Sequence, residues 1–297
     1  MAPTNGPGGS TPPDGPFAVI LGTGQDGGYP QVGCKAACCS SPPPGSVSQL
    51  HPACIAICDP STGSRWLIDC TPGFPGQLSM LERIAPGEAP GLILSHAHMG
   101  HYTGLVNLGN EVMATHRVPT YALPRMRSFL EANEPWKELT ENENIELRAM
   151  APGETFDLEG GVSVTPHLVP HRDENSETAC FEVRGPRSSL LWLPDIDTWE
   201  GLQPGITELV GRVDRAYLDG TFFSPGELPG RDMSAISHPL ILESIDLFSS
   251  LEEDTRRKIS FIHLNHTNPA IHPESPEART VEQAGHSIAT EGDRIEL

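Results

Sequence analysis

Short apolar runs broken by glycine, proline and charge set the pattern of this chain. "FAVILGT" from Phe17 is continuously apolar and rich in β-formers, which predicts a strand buried on both faces. "ACIAICDPSTGSRWLIDC" predicts two strands around an Asp-Pro-Ser-Thr-Gly turn. "FPGQLSMLERI" then changes to helical spacing, "GLILS" is a short buried strand, and "HYTGLVNLGNEVM" places Leu105, Leu108 and Val112 on one helical face. Strands are predicted at "VPTYAL", "IELRAM", "GVSVTPHLVP", "TACFEVRG", "SLLWLPD", "DRAYLDG" and "KISFIHLNH". Between and after them, "TWEGLQPGITELVGRV", "LILESIDLFSSL" and "SPEARTVEQAG" read as helices. Strands outnumber helices and the two are interspersed, so the expected class is α/β in layers, neither an all-β barrel nor a purely parallel sheet.

Composition refines this outline. Residues 1–16 are rich in Pro, Gly, Ser and Thr and poor in apolar side chains, predicting a flexible tail before a single domain over 17–297. No apolar run reaches the length of a membrane span, and the N-terminal residues lack the basic and apolar regions of a signal peptide, so a cytoplasmic protein is expected. The net charge of −20 opposes broad membrane or nucleic-acid surfaces and favours a small-molecule substrate, with bound cations offsetting part of the charge. It sets no oligomeric state, and a dimer is compatible. Seven cysteines, an odd number, point to free thiols or metal ligation rather than a disulfide framework.

The chemistry concentrates in "LILSHAHMGHYTGL". His96 and His98 share one face of an extended segment and His101 returns at the start of the next helix, so three imidazoles can converge. Imidazole suits zinc, and a catalytic zinc keeps one position open for water. His171, Asp195, His263 and His266 each follow an apolar run, where strand ends gather ligands at one sheet edge.

The order of Asp69 in "WLIDCTPG", then "SHAHMGH", His171, Asp195 and His263 resembles the metallo-β-lactamase superfamily, an αββα sandwich with metals at one edge. "LGTGQDGGYPQVGC", "FIHLNHTNP" and "SPEARTVEQAG" bring the resemblance closer to the proteins of the pyrroloquinoline quinone biosynthesis protein B type. The resemblance implies a first metal on His96, His98 and His171 and a second on His101, Asp195 and His263, with Asp195 able to bridge. It implies that Asp69 orients a ligand histidine. His266 can replace His263, which is the favoured ligand. Gly100 stands where the hydrolases carry aspartate, so the second site is expected to be weak, giving one or two zinc ions. His238 matches the place of a proton donor in some phosphodiesterases, with a local helix-start role as the alternative.

"GCKAACC", with Cys34, Cys38 and Cys39, resembles a structural zinc segment that needs a fourth ligand such as His51 or Cys54; buried free thiols are the alternative. "GTGQDG" satisfies Gly-x-Gly-x-x-Gly, but no helix follows it to bind a dinucleotide phosphate. Gln25 and Asp26 in that loop are instead expected to touch substrate, and Arg172 to pair with a substrate carboxylate. The leading expectation is zinc-dependent hydrolysis of a small cyclic amide or ester, a carbapenem-like β-lactam in particular, and hence antibiotic resistance. The alternatives are an iron-dependent oxidoreductase of quinone-cofactor biosynthesis, a phosphodiesterase or nuclease, and a non-catalytic metal-binding protein.

Overall fold

The computed structural model describes residues 15–42, 46–228, 230–233 and 236–297, so nearly all of the expected tail lies outside the described residues. Two seven-stranded mixed sheets lie face to face. The first runs β14 (Arg294–Glu296), β1 (Phe17–Gly22), β2 (Cys54–Asp59), β3 (Ser64–Ile68), β4 (Gly91–Ile93), β5 (Val118–Ala122) and β6 (Ile145–Ala149). The second runs β13 (Ser287–Ile288), β12 (Ile259–Ile262), β11 (Arg215–Asp219), β10 (Ser189–Leu193), β9 (Ala179–Arg184), β8 (Ser163–Leu168) and β7 (Phe156–Asp157). Ile20, Ile55 and Trp66 from the first sheet meet Phe181, Trp192 and Tyr217 from the second in the central core.

Strands β1, β2 and β10 are buried along their whole length because both of their faces are covered. Helix Phe74–Ile84 buries Phe74 and Leu81 on the outer face of the first sheet, and helix Ile241–Phe248 buries Ile241 and Phe248 against the second. The layers are therefore helix, sheet, sheet, helix, as the resemblance implied. Helix Pro276–Gln283 starts as "SPEARTVEQAG" suggests, the Ser275 hydroxyl accepting a hydrogen bond from Ala278 N.

Two predicted helices come out shorter. "HYTGLVNLGNEVM" is one turn, Met99–Tyr102, followed by a 3-10 segment, Thr103–Leu108. Gly104 packs so closely on the strand end that an added Cβ would lie 2.2 Å from Thr71 O, and its N–H bonds Cys70 O. That contact draws the segment inward and ends the regular helix. In "TWEGLQPGITELVGRV" only Ile206–Gly211 is helical, because Gly201, Pro204 and Gly205 interrupt the earlier part.

Antiparallel and parallel pairings combine so that β1, β3 and β4 run one way in the first sheet, and β8, β10, β11 and β12 share a direction in the second. Their C-terminal ends meet at one edge. There the sheets are also joined through the backbone: Gln25 N donates to Leu264 O (2.9 Å), Leu264 N to Thr23 O (2.9 Å) and Ala179 N to Ser95 O (3.2 Å). Among the described residues no helix is long and apolar enough to cross a membrane.

Candidate metal centre

The segment after β4 puts His96 and His98 at this edge. His98 Nδ1 lies 3.0 Å from His96 Nε2 and 2.9 Å from His171 Nε2. Asp195, just past β10, brings Oδ2 to 3.4 Å from His96 Nε2 and 3.2 Å from His171 Nε2. Metal–ligand bonds of 2.0–2.1 Å place tetrahedral ligand atoms about 3.3–3.4 Å apart, close to these separations.

The second half-site is built around His101 and His263. Asp195 Oδ2 also lies 3.4 Å from His101 Nε2, so one carboxylate oxygen faces both halves. Asp26, on the loop after β1, brings Oδ1 to 3.5 Å from His101 Nε2 and 3.7 Å from His263 Nε2. Asp26, His101 and His263 form one compact donor group, and His96, His98, His171 and Asp195 form another.

Each of four imidazoles is fixed through its Nδ1. His171 donates to Asp197 (2.6 Å), His101 to Asp69 (2.7 Å), His96 to the Ser95 hydroxyl (2.9 Å) and His263 to the Thr221 hydroxyl (2.9 Å). Asp69 is itself saturated by Ser95 N and Oγ. These bonds leave Nε2 with its lone pair toward the centre, the tautomer a metal requires. Asp69 (φ 69°) and His263 (φ 65°) both have left-handed backbones, a bend at the strand end that turns their side chains into the edge.

The donors fit a divalent cation. His101 Nε2, His263 Nε2 and Asp195 Oδ1 are buried without a hydrogen-bond partner, a cost that an ion would remove. Burial pushes His96 well below the usual histidine range, keeping it neutral as a ligand must be. At His101 burial also opposes charge, but Asp69, Asp195 and Asp26 outweigh it and favour a positive charge there. A metal ion supplies positive charge at that point without protonating the ring.

His238 lies beside these groups. Its Nδ1 is 2.8 Å from Asp219 Oδ2 and 3.6 Å from Asp195 Oδ1. Burial works against its charge, yet Asp219, Asp195 and Asp197 raise its pKa to about 9, so it is cationic at neutral pH. Asp219 also accepts from Ile196 N and Thr221 N. A cavity of about 570 Å³ opens next to it, its wall including Arg172, Phe222, Arg231, His238 and Gln25.

Several residues lie away from the places expected of them. His266 does not join the histidine centre; its Nδ1 lies 3.6 Å from Cys38 Sγ and 3.4 Å from Cys39 Sγ, completing a group with Cys34. The backbone turn at His263 sends the two histidines to different places. The proposed fourth ligands are elsewhere: His51 pairs with Glu291, and Cys54 is buried against Asp69 O. Asp26, expected to touch substrate, faces His101 and His263, while Gln25 accepts a hydrogen bond from Asn265. Asp197 and Asp219, which pair with His171 and His238, were not singled out by the sequence patterns. Asp219 carries the same signal as Asp69, an aspartate closing an apolar strand, whereas Asp197 is overshadowed by Asp195 two residues earlier.

A family model described as "Beta-lactamase superfamily domain" matches residues 64–264. The chain is 28% identical to coenzyme PQQ synthesis protein B of Nitrosococcus oceani, over 94% of this chain and 99% of that protein. It is 26% identical to the protein of that name from Pseudomonas putida, over 95% and 100% respectively. Among solved structures it is similar to zinc-bound PqqB from Methylobacterium extorquens, with a TM-score of 0.78 and 21% identity, covering 95% of this chain and 100% of that one. It is also similar to a diphosphatase of the PhnP family, with a TM-score of 0.66 and 21% identity over 95% and 97% of the two chains. The full-length relatives overturn the expectation of β-lactam hydrolysis and antibiotic resistance. That expectation followed the fold, and a fold shared by many chemistries does not select a substrate.

Proposed function

Since the chain belongs to the beta-lactamase superfamily, whose domain model covers residues 64–264, we propose that it is a metal-dependent oxidoreductase acting in the synthesis of the quinone cofactor PQQ. The full-length similarity to PQQ synthesis proteins supports the pathway. The single observation that carries the redox reading is the grouping of two imidazoles, His101 and His263, with the Asp26 carboxylate. Two histidines and one carboxylate suit the iron of non-haem oxygenases. Iron bound there would supply one-electron chemistry and a binding position for oxygen.

The chain's own residues provide the rest. Asp195 faces both donor groups and fixes their spacing, while Asp69, Asp197, Ser95 and Thr221 hold the imidazole planes. Arg172 and Arg231 present guanidinium groups to the cavity, where they pair with substrate carboxylates. Phe222 packs beside His238 and offers an apolar wall to a ring. With Nδ1 tied to Asp219, His238 holds its transferable proton on Nε2 and delivers it to a substrate oxygen.

The test is complementation of a bacterium lacking its own PQQ synthesis protein B. Expression of this chain should restore the cofactor, and Asp195→Ala should not. Anaerobically isolated protein loaded with Fe(II) should take up oxygen with a carboxylate-bearing aromatic compound, the chemistry that Arg172, Arg231 and Phe222 suit. Failure to complement, together with no oxygen uptake, would refute the assignment. Phosphodiester cleavage is the second reading, favoured by the cationic His238 beside the two arginines; chelator-sensitive turnover of a bis-aryl phosphodiester would promote it.

A further inference from the structure

A count of ligands along His96 to His101 leaves the second half-site one carboxylate short, because position 100 is glycine. A count in space does not. A Cβ placed on Gly100 would lie 1.9 Å from Asp26 Oδ1, 2.4 Å from its Cγ and 2.7 Å from its Cβ. Any side chain at position 100 would therefore begin inside the volume that the Asp26 carboxyl group fills. The same Oδ1 faces His101 Nε2 and His263 Nε2, both buried and without hydrogen-bond partners.

The loop that carries Asp26 is fixed on both sides. Gln25 N bonds Leu264 O and Leu264 N bonds Thr23 O, which ties residues 23–25 to the strand end bearing His263. Asn265 Nδ2 donates to the Gln25 side chain, and Gly28 N closes the turn onto Gln25 O at 2.6 Å. Asp26 is thus placed relative to His263 by the backbone. Its side chain is about half exposed, so it meets solvent as well as the imidazoles.

We propose that Asp26 is a metal ligand of the second half-site, supplied from the loop after β1, and that Gly100 is required because one carboxylate and a side chain at position 100 compete for a single volume. The proposal needs metal at this site but not the PQQ reading, so its test uses metal binding and no turnover. It restores the carboxylate whose loss was expected to weaken the second site, and two comparably tight ions follow.

The experiment is a Co(II) titration of metal-free protein. Cobalt at the cysteine cluster is identified by thiolate charge-transfer absorption, which nitrogen and oxygen ligands do not give, so the two histidine half-sites are counted separately. Asp26→Asn, close in size to the native residue, should keep the melting temperature and weaken one of the two non-thiolate equivalents by at least the roughly tenfold that lost outer-sphere partners cost. Gly100→Asp alone should weaken the same equivalent by forcing the two groups together. Asp26→Gly combined with Gly100→Asp should bind it more tightly than either single variant. Wild-type cobalt affinity in Asp26→Asn would overturn the proposal, as would equal weakening of both equivalents. A folded double variant no tighter than Asp26→Gly would overturn the shared volume.

Discussion

The molecule contains two clusters suited to metal, and they are built in opposite ways. The histidine and aspartate centre takes its donors from the ends of several strands, and hydrogen bonds hold four of its imidazoles before any ion arrives. Cys34 and His266 come from loop segments and Cys38 and Cys39 from the one-turn helix Ala37–Ser40, and all four are partly exposed. Their sulfur atoms are 3.9 Å and 4.0 Å apart between Cys34 and Cys38 and between Cys38 and Cys39. Burial and neighbouring sulfur push the Cys39 thiol up to about 12, so only a cation makes the thiolate form favourable. The first arrangement is pre-organised with donors to spare, as chemistry requires; the second offers three sulfur ligands and one nitrogen, a set suited to closing a fold. Metal should therefore govern activity at one cluster and stability at the other.

The largest effect that can break this contrast is at Asp195, whose carboxylate faces both half-sites. Asp195→Ala should lower activity by at least roughly 100-fold, the upper range for lost outer-sphere partners, and release metal from both halves. Elemental analysis after dialysis checks it; retention of either ion would mean that the halves are independent. Next is Cys38→Ser, which should lower the melting temperature by on the order of 5–10 °C while cobalt still fills the histidine sites. If melting is unchanged, the cysteine cluster is not a structural metal site.

Asp197→Asn sharpens the contrast further. His171 would keep its place but lose the carboxylate that orients it, so metal affinity at the first half-site should fall roughly 10-fold with little change in melting. The smallest effect concerns Glu227, which accepts bonds from Thr267 Oγ1 and Phe223 N. Burial raises its pKa from 4.5 to about 7. The folded chain therefore binds this proton more tightly than the unfolded chain, so the stability it confers is full below about pH 4.5 and is lost as pH rises through 7. Melting followed from pH 5 to 8 should decline by a few degrees at most in the native protein, on the order of 1–3 °C beyond Glu227→Gln. Parallel curves would place the dependence elsewhere.

Much of this organisation was readable from local patterns. The strands from "FAVILGT" to "KISFIHLNH" and the helix "FPGQLSMLERI" matched because apolar runs and helical spacing are properties of neighbouring residues. The gathering of His96, His98, His101, His171, Asp195 and His263 was readable because they sit at or just beyond the ends of such runs, with His101 opening the next helix. What could not be read depends on distant chain meeting in space. Asp26 and Gly100 are 74 positions apart, and only the tertiary contact shows that they exclude each other. "HLNH" offers two equivalent histidines in sequence, and one left-handed residue, His263, sends them to different clusters. Helices Pro124–Ala132 and Trp136–Glu141 went unpredicted because their apolar residues are few; packing of Met126, Leu130 and Trp136 decides them.

The backbone bonds that join the two sheets at the metal edge act as the binding of a book. At the opposite edge, among the described residues, only side chains tie the sheets, Ser188 and Arg187 to Glu296 and Ser64 and Trp66 to Glu159, mostly at the surface where water competes for them. Between the edges the sheets meet through apolar side chains. At the strand ends, Thr23, Gln25 and Ser95 are hydrogen-bonded to Leu264 and Ala179, so separation there must break directional bonds. Thermal opening of the sandwich is then asymmetric: the fore-edge parts first, and the spine holds its spacing. Amide exchange should rise with distance from Leu264, leaving the distances among the donor atoms the last property of the fold to be lost.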